Sequence, residues 1–95
     1  MTREQHLLVI LAEECSEVAQ RVSKALRFGL GEIQPGQSLS NAERIRQEFG
    51  DLIAAFEMTG IGHPNLQQID DKKRKVEDYF VYSQRLGCVE QYRRI

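Results

Sequence analysis

LLVILAEECSEVAQRVSKALRF, residues 7–28, is the stretch on which the fold turns. Leu7, Leu11, Val18, Val22, Ala25 and Leu26 recur at three-, four- and seven-residue steps, the signature of one face of an α-helix, and no proline interrupts them. Thr2 followed by Gln5 has the spacing of a capping box, and Gly29 is a natural stop, so a helix is expected from about Thr2 to Phe28. Into the middle of this helix the chain sets Glu13, Glu14 and Glu17. A carboxylate beside an apolar stripe is costly to bury unless something pairs with it.

Outward from that helix, GLGEIQPGQSL (residues 29–39) gathers three of the seven glycines and one of the two prolines and reads as a loop holding at most a short helical turn. Ser40 with Glu43 is a second capping box, opening a helix through Ile45, Phe49, Leu52, Ile53, Phe56 and Met58 that stops near Gly60. GIGHP (60–64) is a turn, after which Asn65 caps a third helix carrying Leu66, Ile69, Val76, Phe80 and Leu86, with Gly87 as its stop and CVEQYRRI (88–95) as a tail. Nothing alternates with period two and no repeat appears. The reading is a single all-α domain over residues 1–95, a bundle of about three main helices that oligomerisation completes as a four-helix-type bundle.

Composition narrows the function. A formal net charge of -1 and a pI near 6.1 give no basic field to hold nucleic acid by its phosphates. The N-terminal segment MTREQHLLVILAEE has an apolar run too short for a membrane span and no basic leader or cleavage site, so a cytoplasmic protein without membrane partners is expected. Cys15 and Cys88 stand far apart, with no CxxC and no histidine at zinc-finger spacing, and read as reduced thiols; Cys15 is expected to pack on the apolar side of the first helix. His6 and His63 are isolated residues that read as structural or exposed.

The carboxylates repeat. Glu14 and Glu17 project from one strip beside the first apolar stripe; Glu48 falls inside the stripe of Ile45, Leu52 and Phe56, with Asp51 at its edge. One such i, i+3 pair is ordinary solvated surface, and Glu17 with Arg21 makes a plausible i, i+4 ion pair. Two pairs on two helices are different: four converging carboxylates resist ionisation unless a hard divalent cation, which takes oxygen ligands, lies among them. Magnesium is the natural ion. A di-iron carboxylate bundle is disfavoured because no ExxH pair occurs.

The pattern EExxE (Glu13, Glu14, Glu17) followed after a loop by ExxD (Glu48, Asp51) resembles the MazG-like nucleoside triphosphate pyrophosphohydrolases, of the all-α NTP pyrophosphatase superfamily that includes phosphoribosyl-ATP pyrophosphatase. The resemblance covers about residues 5–86, with about thirty residues between the motifs, towards the long end of the family's spacing. It implies that Glu14, Glu17, Glu48 and Asp51 bind Mg2+, with Mn2+ as a substitute, that Glu13 is a supporting carboxylate, and that a deoxynucleoside or noncanonical nucleoside triphosphate is cleaved between its α- and β-phosphates. A homodimer or homotetramer is expected, with nucleotide pockets at the subunit interface.

Triphosphate chemistry also calls for protein cations. Lys24 lies two turns beyond Glu17 on the same strip, and in DDKKRKVEDYF Lys73 shares a face with Ile69, Val76 and Phe80, with Lys72 beside it; these three are candidate phosphate ligands. The KKRK run also suits a solvated face with lysine stems lying over the core. Tyr79 and Tyr82 read as candidates to hold a base or as stripe residues. A reading of another class is a non-catalytic helical oligomer that binds nucleotide or metal as a sensor or scaffold.

Overall fold

The computed structural model describes residues 1–90 as three helices, α1 (Arg3–Phe28), α2 (Asn41–Thr59) and α3 (Leu66–Arg85), with no strand among the described residues. The chain is all-α. The last part of the expected tail, residues 91–95, lies outside the described residues. No helix among them is long and apolar enough to cross a membrane.

Both capping boxes form. Gln5 N–H donates to Thr2 Oγ1 at 3.1 Å while Thr2 N–H donates to Gln5 Oε1 at 2.8 Å. Ser40 repeats this with Glu43: Ser40 N–H and its hydroxyl donate to Glu43 Oε1 at 3.2 and 3.0 Å, and Glu43 N–H donates to Ser40 Oγ. These donors hold the Glu43 carboxyl below its usual pKa, the Ser40 backbone N–H contributing most. A depressed carboxyl contributes stability above its unfolded pKa that is lost as pH falls through the folded value. Glu43→Ala should therefore melt lower than the parent at neutral pH, and the gap should close once the buffer is taken below about pH 4. Gly60 ends α2 at φ 72°, a left-handed conformation only glycine adopts freely, and Asn65 caps α3 by accepting from Gln67 N–H at 2.7 Å.

The contacts divide the chain into two units, residues 1–62 and 63–95. In the first, α1 and α2 pack as a hairpin. Its seam is read from burial: Leu7, Leu11, Glu14, Val18, Arg21 and Ala25 on α1, and Asn41, Ile45, Glu48, Leu52 and Ala55 on α2, all buried or half-buried. Leu7 and Glu14 are one heptad apart; Asn41, Glu48 and Ala55 are separated by two consecutive heptad steps. Two glutamates thus occupy positions that packing would give to leucine.

Rotation about each helix sorts the remaining side chains. Val22 and Leu26 stand roughly 60° and 100° round from the Leu7–Ala25 line, and Phe49 and Ile53 about 100° and 140° round from Glu48 in the same sense. In an antiparallel hairpin these offsets bring both sets to one face. The expected stripe is thereby corrected: Val22 (49% exposed), Leu26 (88%), Phe49 (51%) and Ile53 (44%) lie beside the seam rather than in it, and Met58 is also exposed. Glu13, Glu17, Lys24 and Asp51 are offset the opposite way, onto the other face. The hairpin is apolar on one broad side and carries its acids and Lys24 on the other.

The loop between the helices is bracketed to the start of α2. Asn41 N–H donates to Glu32 O at 3.0 Å and Ala42 N–H to Leu30 O at 2.9 Å, so two first-turn donors of α2 are satisfied by loop carbonyls. Asn41, 2% exposed, donates its side-chain amide to Gly29 O and to Glu32 Oε1, both at 2.9 Å.

In the second unit, α3 has no buried residue. Lys73 is exposed together with Ile69 (38%), Val76 (53%) and Phe80 (40%), so of the two readings open for the KKRK run the solvated face is the one observed: sharing a face with apolar residues does not bury a lysine on a helix that buries none of them. Arg74 is ion-paired with Asp71.

Candidate metal centre

Glu14 and Glu48 reach each other because each sits at the centre of its helix's seam. Glu17 joins from one turn along α1, and a carboxylate oxygen from each of the three lies within 4.8 Å of the others. Glu14 is half-buried, with Oε2 shielded from solvent and without a hydrogen-bond partner; Glu48 is half-buried and Glu17 exposed. No lysine or arginine bridges to these carboxylates among the described residues.

The electrostatics follow. The Glu14 carboxyl is pushed above its usual pKa, first by loss of solvent and then by Glu17, Asp51 and Glu13. Glu48 is raised in the same way, by desolvation first, then by the charge of Glu17 and a hydrogen bond to it, with Asp51 and Glu14 adding further. Asp51 is exposed at the rim, near enough to act on both glutamates but outside the close group of three. Glu13 is exposed on the acidic face and acts on Glu14 through its charge.

Two expectations from the sequence are not met, the Glu17–Arg21 pair and the packing of Cys15. Glu17 and Arg21 make no ion pair; the Glu17 carboxylate lies with Glu14 and Glu48, and Arg21 Nη1 is buried in the seam without a partner. Cys15 is exposed rather than packed, because it stands about 100° round the helix from Glu14. Lys72 and Lys73 belong to α3, in the second unit, where both are exposed and border a shallow depression with Pro64, Gln68 and Ile69. Lys24 does lie on the Glu17 side of α1, half-buried beside a cavity of ≈220 Å³ that it shares with Phe28, Glu32, Gln34, Pro35 and Asn41. Sequence reasoning missed Glu32 and Asn41. The available signal was slight: an asparagine placed directly after the Ser40 cap, where the side chain can reach back into the loop.

The donor set fits a hard divalent cation. Oxygen ligands only, from several carboxylates of which one has an orphaned and shielded oxygen, match what Mg2+ or Mn2+ takes, and neither thiol nor imidazole competes within the group. No protein-family model, curated protein or solved structure matches this chain.

Proposed function

We propose that the chain is a magnesium-dependent nucleoside triphosphate pyrophosphohydrolase of MazG-like type, acting in the cytoplasm. The observation that carries the reading is the approach of Glu14, Glu17 and Glu48 to within 4.8 Å, Glu14 and Glu48 half-buried in the helical seam and Glu17 at its exposed edge, where crowded carboxylates without a cation repel one another. The paired EExxE and ExxD motifs on these two helices support it.

In this reading Glu14, Glu17 and Glu48 hold the ion and Asp51 completes the set from the rim. When bound, the ion would neutralise the triphosphate, polarise a phosphoryl oxygen and lower the pKa of a water. The chain's own groups do the rest. Lys24, on the same side of α1 as Glu17, meets phosphate charge the carboxylates would otherwise repel. Water attacks in line, the bridging bond between the α- and β-phosphates breaks, and nucleoside monophosphate and pyrophosphate leave. The proton of the attacking water passes to a site carboxylate, and Glu13 orients that water from the exposed side.

The test is pyrophosphate release from a panel of canonical and modified nucleoside triphosphates, with and without magnesium. Metal-dependent release is expected; nucleotide binding without release from any member would assign the chain to the sensor or scaffold class.

The reading includes a homodimer or homotetramer. Among the described residues Leu7, Ala25 and Ala55 are the buried apolar side chains, while the open side of the hairpin exposes Val22, Leu26, Phe49 and Ile53. A chain of this length is short of core on its own, and a second copy covering that side would complete a four-helix arrangement. Light scattering at micromolar concentration should return a multiple of 11.0 kDa, and Phe49→Glu should shift the protein towards the monomer. A parent protein that stays monomeric would remove this part of the reading.

A further inference from the structure

The cavity beside Lys24 has its own chemistry. It is enclosed by the end of α1, the bracketed loop and the first residue of α2, and its ≈220 Å³ lies below the roughly 300 Å³ at which pockets for drug-sized ligands begin. That is the scale of a single aromatic ring with its substituents. Phe28 borders it and is half-exposed, leaving ring surface free for stacking, with the Arg27 guanidinium 4.8 Å from the ring centroid.

Its polar edge is one-sided, and the hydrogen bonds say how. Asn41 gives its amide to two acceptors, Gly29 O and Glu32 Oε1, which fixes its orientation and leaves Oδ1 as an acceptor. Glu32 receives Asn41 on Oε1, leaving Oε2 as a second, charged acceptor. Gln34 takes Arg44 Nη1 on its Oε1 at 3.1 Å, leaving its amide to donate, and Lys24 can only donate. The cavity therefore presents acceptors at Glu32 and Asn41 and donors at Gln34 and Lys24.

Position links this cavity to the acids. Lys24 follows Glu17 by seven residues, about 10 Å along the helix axis and on the same face, and Phe28 lies one turn further. A ribose with part of a phosphate chain spans that interval.

The geometry points to this cavity as the base subsite of the site described above, reading a cytosine nucleotide through its amino group; this rests on the nucleotide-hydrolase reading. Cytosine offers one amino donor followed by a ring-nitrogen and a carbonyl acceptor, which complements the carboxylate of Glu32 and the amide of Gln34, while Lys24 stands at the phosphate end of the cavity. Uracil puts a carbonyl where cytosine has its amine, setting oxygen against carboxylate. Such a mismatch leaves the half-buried Glu32 carboxylate unpaired and is rejected more strongly than a difference in size.

Calorimetric binding of the α,β-methylene analogues of dCTP and dUTP, in magnesium, separates the possibilities. The cytosine analogue should bind at least about tenfold more tightly. Glu32→Gln, which keeps an oxygen for Asn41, should erase that preference, and Phe28→Ala, at an exposed position, should weaken both analogues alike. Equal affinities, or a preference that survives Glu32→Gln, overturn the assignment, as does failure to bind either analogue. Pyrophosphate assays on the parent triphosphates keep the two readings apart. Cytosine preference in binding without release retains the subsite and removes the reaction; equal release from cytosine and uracil triphosphates retains the reaction and removes the subsite.

Discussion

Glu48→Gln should eliminate magnesium-dependent pyrophosphate release and, in the same protein without metal, raise the melting temperature at neutral pH. The two effects have one source. Glu48 stands between Asn41 and Ala55 in the α2 seam, where desolvation and the charges of Glu17, Asp51 and Glu14 push its carboxyl above the ordinary range. A raised carboxyl pKa means the folded state binds the proton more tightly than the unfolded chain does. Stability is therefore greatest below the unfolded value and declines as pH rises through the folded one, the reverse of Glu43. Glutamine is neutral at every pH, so the variant escapes that decline. With metal the sign inverts, because an ion bound only by the folded state stabilises by mass action, about 2.7 kcal/mol at a hundred times its dissociation constant. Losing one ligand should forfeit most of that shift. Disturbing a group that merely supports a metal ligand costs 10- to 100-fold in affinity or activity, so removing the ligand's charge should cost more than about 100-fold. Melting curves of parent and variant, with and without magnesium and across pH, read all of this; a Glu48→Gln protein whose magnesium response equals the parent's would sink the metal site.

Asn41→Ala should destabilise the fold by about 2–3 kcal/mol, counting two lost hydrogen bonds and the Glu32 Oε1 acceptor left without its donor, while Gly29 O keeps the Glu32 N–H at 3.4 Å. Asn41 is the most buried polar residue of the hairpin, and its amide ties the end of α1, through Gly29 O, to the loop, through Glu32 Oε1. Asn41→Asp tests the same point differently, since it keeps the size but sets a carboxylate against two acceptors, and it should be at least as damaging. Urea unfolding followed by circular dichroism gives both values, and a loss under about half a kcal/mol in both would show that the bracket adds little.

The helices were legible because their ends are written locally. Thr2 with Gln5, Ser40 with Glu43 and Asn65 mark starts by side chains that bond within three residues, and Gly29 and Gly60 mark stops. Glu48 was legible as a seam residue because its neighbours four residues on and three before are apolar. The finer division of each stripe was not: Val22 and Leu26 fit the helical repeat as well as Val18 and Ala25, and only the direction from which α2 approaches decides between them. Arg21 and Asn41 were opaque for a related reason. Their environments are made by residues 9 to 12 positions away or on the facing helix, and periodicity along one helix does not record such partners.

The lack of any buried residue in α3 has a kinetic consequence. A 20-residue helix that buries none of its side chains gains little from packing and opens readily despite its Asn65 cap and Arg74–Asp71 pair, so its amides should trade hydrogen for deuterium far faster than those of Glu48 or Ala55 in the hairpin seam. Assembly would cover Ile69, Val76 or Phe80 only by slowing that exchange. The labelling rate of α3, followed as the protein is diluted, is thus a gauge of association built into the chain, one that needs neither nucleotide nor metal to be read.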